Sequence, residues 1–169
     1  GNYNLDSLTF KKIDRSVDAF TKIEAETARE LKDVSVADDS GASGGKKLET
    51  TVNGASVEFA EVRGENKSSI ELGVRSSTGG RIIVYENGVG DKILASLTVP
   101  VCDDWTVLET QCKDTDVATS NIFFEFLADG EGDIRIEMDY FRFREAVKSI
   151  GPDGIYELED GEGKTNDAG

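Results

Sequence analysis

The chain has 169 residues, 37% of them hydrophobic, which is enough to bury one core with tails but not two comfortable ones. With 34 acidic against 19 basic residues the net charge is -15, which repels polyanions and argues against a nucleic-acid partner or an anionic membrane surface. Histidine is absent, so Ser-His-Asp or Cys-His activation and imidazole-bound zinc are excluded, while carboxylate chemistry remains open.

The two ends nearly repeat. NLDSLTF (Asn4 to Phe10) returns as EMDYFRF (Glu137 to Phe143), and IEAE (Ile23 to Glu26) returns as YELE (Tyr156 to Glu159), both at an offset of 133 residues. A shared offset implies a chain cut from a row of modules, each about 130 residues long. Residues 1–12 are expected to be the closing strand of a preceding module, 13–146 a complete module, and 147–169 a linker and the opening strand of a following one. No apolar run approaches the roughly 20 residues that cross a bilayer, and no signal-peptide pattern is present, so an export signal is expected to lie outside this sequence.

Taken in chain order, residues 4–10 form a strand expected to dock somewhere, and Lys11 to Ala19 an intermodule joint. Glu24 to Lys32 is rich in Glu, Ala and Leu and tempts a helix assignment. The strand reading is preferred because the copy near Glu157 runs into Gly161 and Gly163, which a helix resists. Ala37 to Lys47 is polar and glycine-rich and is expected to be a mobile connection. Ile70, Leu72 and Val74 then alternate with Glu71, Gly73 and Arg75. Further on, Ile93, Ala95, Leu97 and Val99 alternate with Leu94, Ser96 and Thr98, and Ile122, Phe124 and Phe126 alternate with Phe123, Glu125 and Leu127. These are strands with one apolar face. Turn signals separate them at Asn53-Gly54, Thr78-Gly79-Gly80, Asn87-Gly88 and Asp129 to Gly132. About nine short strands at this spacing predict an all-β sandwich. Cys102 and Cys112 flank Trp105; a disulfide between them is favoured over two buried thiols, with the pairing left open. Lys148 to Gly154 repeats the joint, and the acidic tail from Asp160 to Gly169 follows.

Four motifs stand in order: the I-E-A-E strand, N-G-x-x-V-x-F (Asn53 to Phe59), V-P followed shortly by Trp (Val99, Pro100, Trp105), and M-D-Y-F-R-F (Met138 to Phe143). Over Thr21 to Arg144 the chain resembles carbohydrate-binding module family 6, with family 35 a close second. The resemblance implies a β-sandwich of jelly-roll type that binds carbohydrate without catalysis, appended to a secreted, multimodular polysaccharide-degrading enzyme such as a glycoside hydrolase. The partner would be a plant or microbial polysaccharide. The acidic charge favours a neutral glycan such as xylan or β-glucan over a uronate-rich polymer.

On a strand, Glu24 and Glu26 project from one face, where carboxylates repel unless a cation or proton intervenes. The resemblance implies a structural calcium held there together with Asp139, and hard oxygen ligands suit that ion; a solvated strand face is the alternative. The family's principal sugar cleft has an aromatic ring, a second ring and an asparagine at positions that here hold Thr50, Leu108 and Glu137. All three depart from the pattern, which implies a degenerate cleft. Trp105 is either a stacking ring or a residue pinning a turn. A second candidate surface carries Tyr85, Phe123 and Glu125, opposite the apolar alternation, where a ring beside a carboxylate can take a sugar or merely form cross-strand pairs. Three functions compete: a binding module, a calcium-stabilised spacer that binds no glycan, and a glycosidase using paired carboxylates, for which no recognisable acid pair exists.

Overall fold

The computed structural model describes residues 14–113 and 117–146, together with the short strands at 149–150 and 156–157. In chain order the strands are β1 (Val17–Asp18), β2 (Ile23–Glu24), β3 (Glu30–Lys32), β4 (Ser35–Asp38), β5 (Lys46–Thr50), β6 (Ala55–Arg63), β7 (Lys67–Ser76), β8 (Gly80–Glu86), β9 (Lys92–Val99), β10 (Cys102–Gln111), β11 (Thr119–Leu127) and β12 (Ile136–Glu145). A small antiparallel pair follows, β13 (Ser149–Ile150) with β14 (Tyr156–Glu157). Residues 1–12 and the tail from Asp160, assigned above to a preceding strand and to the chain's end, lie outside the described residues.

Two sheets form. One is ordered β1-β6-β11-β8-β9 with β3 also on β6; the other is β10-β7-β12-β5-β4 with β2 also on β12. Strand alternation puts one apolar face on each sheet, and closing the two faces removes both from water. From the first sheet come Val57, Phe59, Ile82, Val84, Ile122, Phe124 and Phe126; from the second come Leu48, Ile70, Leu72, Val74, Met138, Phe141 and Phe143, all buried. Phe141 sits at the centre, 4.7 Å from Phe59 and 4.8 Å from Phe124, ring centre to ring centre, with Phe143 edge-on at 6.0 Å. Such tilted aromatic contacts add to area burial, by about 0.5–1.5 kcal/mol per pair. The expected all-β sandwich is the observed fold, and no helix among the described residues is long and apolar enough to cross a membrane.

Four local expectations are corrected. β2 ends at Glu24, and Ala25–Thr27 turns as a 3-10 helix, so Glu26 is not two residues along a continuous strand. Ala37 to Lys47 is not a loose connection: β4 and β5 run into it from both sides, and a compact turn remains, with the Asp39 N–H donating to the Gly45 carbonyl and the Gly45 N–H to the Ala42 carbonyl. Along β9 the side-chain parity slips at a register shift opposite Val84 and Tyr85, leaving Ile93 exposed and Leu94 buried. Cys102 opens β10 and Cys112 follows its end, so about 30 Å of extended chain separates two free thiols and excludes a disulfide. Burial pushes the Cys112 thiol up to about 12.

Candidate functional site

Three regions hold the residues singled out from the sequence. The first lies beside β12, where β5 pairs with Ile136 to Met138 and β2 with Tyr140 and Phe141, leaving Asp139 at the gap between them. A register shift against β7 between Met138 and Tyr140 makes Asp139 the bulged residue, and bulges re-aim side chains. Into this gap folds the Asp39–Gly45 turn: the Ser43 N–H donates to Asp139 Oδ1 at 2.9 Å, and the Ser43 hydroxyl donates to Glu24 Oε2 at 2.6 Å. Glu26 reaches the same place from the 3-10 turn. A Cβ on Gly44 would collide with Glu26 Oε1 and lie 3.4 Å from Glu24 Oε2, so a side chain there would push the Glu26 carboxylate aside. Glu26 Oε2 is buried without a hydrogen-bond partner. Burial raises the Asp139 carboxyl above its usual range and the Glu24 charge pushes the same way, outweighing the Ser43 hydrogen bond.

Three acidic side chains thus surround Ser43 and Gly44 although the strand reading of Glu26 fails. They do not meet as a closed set; among the described residues no three His, Cys, Asp or Glu side chains form a ready metal cluster. The donors are nonetheless of the kind a hard cation takes, and one buried oxygen lacks any partner, so the residues fit a calcium ion that Glu24, Glu26 and Asp139 would hold. A bound ion would supply charge neutralisation there.

The second region is the neighbouring outer edge of the same sheet. Thr50 is buried and spends its hydroxyl on the Asp33 carbonyl at 2.7 Å. Leu108, opposite Leu72, turns inward against the core. Glu137 is buried and takes two ion pairs, from Lys47 and from Arg75 Nε. Arg75 also holds Asp39 at 2.6 Å, and its guanidinium lies on the Trp105 ring, 4.6 Å from the centre. Burial acts to raise the Glu137 carboxyl, but hydrogen bonds from Arg75 and Lys47 overcome it and hold it below the usual range. The Gly41 N–H and then Arg75 do the same for Asp39. The structure therefore brings Trp105 and Glu137 together through Arg75 and leaves Thr50 and Leu108 facing into the fold. A hollow of about 140 Å³ beside the network is lined by Arg75, Ser77, Cys102, Asp103, Arg135 and Glu137.

Tyr85 and Phe123 make the third region, directly opposite each other on β8 and β11 of the other sheet, on its solvent side. The Tyr85 hydroxyl donates to Glu125 Oε2 at 2.7 Å, and burial followed by this bond pushes the phenol up to about 12. Tyr85 is only 6% exposed, so Phe123, half-buried, is the more open ring. Sequence reasoning missed Lys47, Arg75, Ser43 and Gly44. The Gly44-Gly45 doublet was the one available sign of a close approach; nothing local marks Arg75 as the partner of residues 36 and 62 positions away.

The model of the family described as carbohydrate binding module (family 6) matches residues 24–145, and the chain belongs to that family of noncatalytic binding modules. Among solved structures it is similar to a β-1,3-glucan-binding family 6 module from Bacillus halodurans, with TM-score 0.68 and 24% identity over 76% of this chain and 98% of that one. A family 6 module from Clostridium cellulolyticum in complex with xylose gives TM-score 0.68 and 18% identity over 76% and 100%. A glycoside hydrolase family 43 arabinoxylan arabinofuranohydrolase from Bacillus subtilis, in complex with cellotetraose, gives TM-score 0.68 and 22% identity over 85% of this chain but 30% of that one. No curated protein matches the chain.

Proposed function

We propose that this module anchors a secreted, multimodular polysaccharide-degrading enzyme to a neutral plant or microbial glycan, without taking part in the chemistry. The observation that carries the reading is the family 6 sandwich spanning residues 24–145. Similar modules are described as binding β-1,3-glucan, cellobiose and xylose, which favours a neutral ligand here. The contact would form on the solvent face of β8 and β11, where Phe123 stacks and Glu125 accepts hydroxyl hydrogen bonds, because the edge cleft is degenerate: Thr50 and Leu108 face inward and Glu137 is consumed by Lys47 and Arg75. Calcium held by Glu24, Glu26 and Asp139 would pin the first and last strands of the module. The chain would be one link of a tandem array, a reading supported by the 133-residue offset shared by the echoes at its two ends. Several weak modules on one chain hold an insoluble polymer through effective concentration.

The inward-facing cleft positions equally favour a second reading, a calcium-stabilised spacer that binds no glycan. Titration calorimetry against xylo- and gluco-oligosaccharides, with calcium and with a chelator, separates the two. The binding reading expects saturable heat that is lost in Phe123→Ala. Absence of heat with every neutral glycan, alongside stabilisation by calcium, leaves the spacer.

A further inference from the structure

Trp105 is the single tryptophan of the chain, and neither of its two unusual features is explained by packing alone. Its indole Nε1 is buried with no hydrogen-bond partner, which leaves the donor's desolvation uncompensated. One face of its ring is covered by a guanidinium rather than by an apolar side chain. Arg75 is held in that place at two points, by Asp39 and by Glu137, and both carboxylates are themselves fixed: Asp39 by the Gly41 N–H at 2.8 Å, Glu137 by Lys47. The planar group cannot leave the indole without breaking two ion pairs. The 140 Å³ hollow lined by Arg75, Ser77, Cys102, Asp103, Arg135 and Glu137 opens on Arg75, so the space a ligand can enter lies next to the group that covers the indole.

A pyranose binds an aromatic ring by laying its apolar C–H face on the π face, the position a stacked guanidinium occupies. We propose that Arg75 is the residue that decides specificity at this edge: it is an internal occupant of the Trp105 face, and by stacking there it excludes neutral pyranosides from the indole ring. This rests on the carbohydrate-binding reading and deepens it, because it says why the module is directed to its other sheet. Arginine is suited to the task where lysine is not, since only the planar fork meets two carboxylates while stacking.

The test is the double variant Arg75→Ala with Glu137→Gln, which removes the occupant together with the charge of its most buried partner; Asp39 keeps the Gly41 N–H at 2.8 Å and Lys47 at 4.0 Å, and Lys47 keeps Glu49 at 3.0 Å. Xylohexaose and cellohexaose are titrated in calorimetry, with tryptophan emission, which reports Trp105 alone, as second readout. The expected result is at least tenfold tighter binding of one of the two than by the unaltered chain, with a saturable emission change, and loss of that gain when Trp105→Ala is added. Should the double variant fail to fold, Arg75→Lys keeps a cation near both acids but uncovers the ring, and the emission change alone decides. A folded double variant with no gain and no emission change overturns the proposal, as does an unaltered chain that already perturbs Trp105 with equal affinity. Binding that is lost in Phe123→Ala but indifferent to Arg75 sinks this inference and leaves the proposed function standing. Absence of binding by every folded form sinks both.

Discussion

Glu137 and Asp139 stand two residues apart on β12, both almost fully buried, and their carboxyl groups are shifted in opposite directions. Burial pushes both upward. At Glu137 the flanking strands supply cations, Lys47 from β5 and Arg75 from β7, and these reverse the shift. At Asp139 the bulge aims the side chain into the gap between β5 and β2, where the Glu24 charge pushes the same way as burial, and the Ser43 hydrogen bonds and the weaker pull of Lys22 do not reverse the shift. A buried carboxylate is tolerated when a cation closes it. The protein provides that cation from its own side chains at Glu137, while the contacts that Asp139 accepts come from the neutral Ser43. The same strand thus carries one buried acid closed by ion pairs and one held by a neutral donor, the place where the proposed calcium would act.

The sharpest way to break the comparison is to remove the acid on the satisfied side. Glu137→Ala leaves Lys47 and Arg75 buried or half-buried without their shared partner. Breaking such a pair costs about 3–5 kcal/mol, and the lower end is expected because Lys47 retains Glu49 and Arg75 retains Asp39. Urea denaturation of the variant against the unaltered chain measures it; a change below about 1 kcal/mol would mean that the network behaves as a surface pair.

Much of this contrast was invisible in the sequence, and for a definite reason. Strand alternation is local, so Ile70, Leu72 and Val74, or Ile122, Phe124 and Phe126, betray their buried face at once. Glu24, Glu26 and Asp139 were legible as acids near one another only through the resemblance to a family, and the 3-10 turn at Ala25–Thr27 defeated the period-two argument for pairing Glu24 with Glu26. Arg75 escaped notice because its role is set by register across three strands and a turn: Glu137 opposite Arg75 on β7, Glu49 opposite Glu137 on β5, and Asp39 brought in by the hairpin. The parity slip at Leu94 and the distance between Cys102 and Cys112 are of the same kind, consequences of pairing that no window along the chain contains.

On the unsatisfied side the comparison sharpens with Gly44→Ala. Calcium at about 100 times its dissociation constant is expected to stabilise the unaltered chain by ~2.7 kcal/mol, which for this size raises Tm by roughly 5–10 °C. The added methyl displaces Glu26 Oε1, so the variant is expected to lose the calcium increment while costing less than about 1 kcal/mol on its own, because the group that must move is the end of a flexible side chain. Calorimetric scans with calcium and with chelator read both, and a variant that keeps the full increment would remove Glu26 from the site. Glu71 offers a second buried acid closed by cations. Burial works to raise it, but Arg142, the Tyr140 hydroxyl and Arg144 hold it below the usual range. A depressed folded value contributes stability that is complete above the unfolded value of about 4.3 and lost as pH falls through the folded one. Glu71→Gln is therefore expected to cost roughly 1–3 kcal/mol at pH 7 and progressively less below about pH 4, read from denaturation midpoints at both pH values.

The smallest effect is expected on the other sheet, where the pairing is neutral to charged. Tyr85→Phe deletes the bond to Glu125 and leaves a half-buried carboxylate that water still reaches, so a cost of about 1 kcal/mol at neutral pH is expected. The alkaline limb is more discriminating. The folded phenol ionises at about 12 against about 10 when unfolded, so its contribution is complete below pH 10 and is lost as pH rises toward 12. Tyr140 is pushed up to about 12 as well, by burial and by its bond to Glu71, so the unaltered chain declines through both groups and Tyr85→Phe through one. Stability measured from pH 9 to 11.5 should fall less steeply in the variant. An unchanged slope would mean that Glu125 is not bound by Tyr85 and stands free for other donors. In that case the solvent face of β8 and β11 would have a carboxylate already available to sugar hydroxyls, and Phe123 and Glu125 alone would define the surface on which glycan binding should be sought.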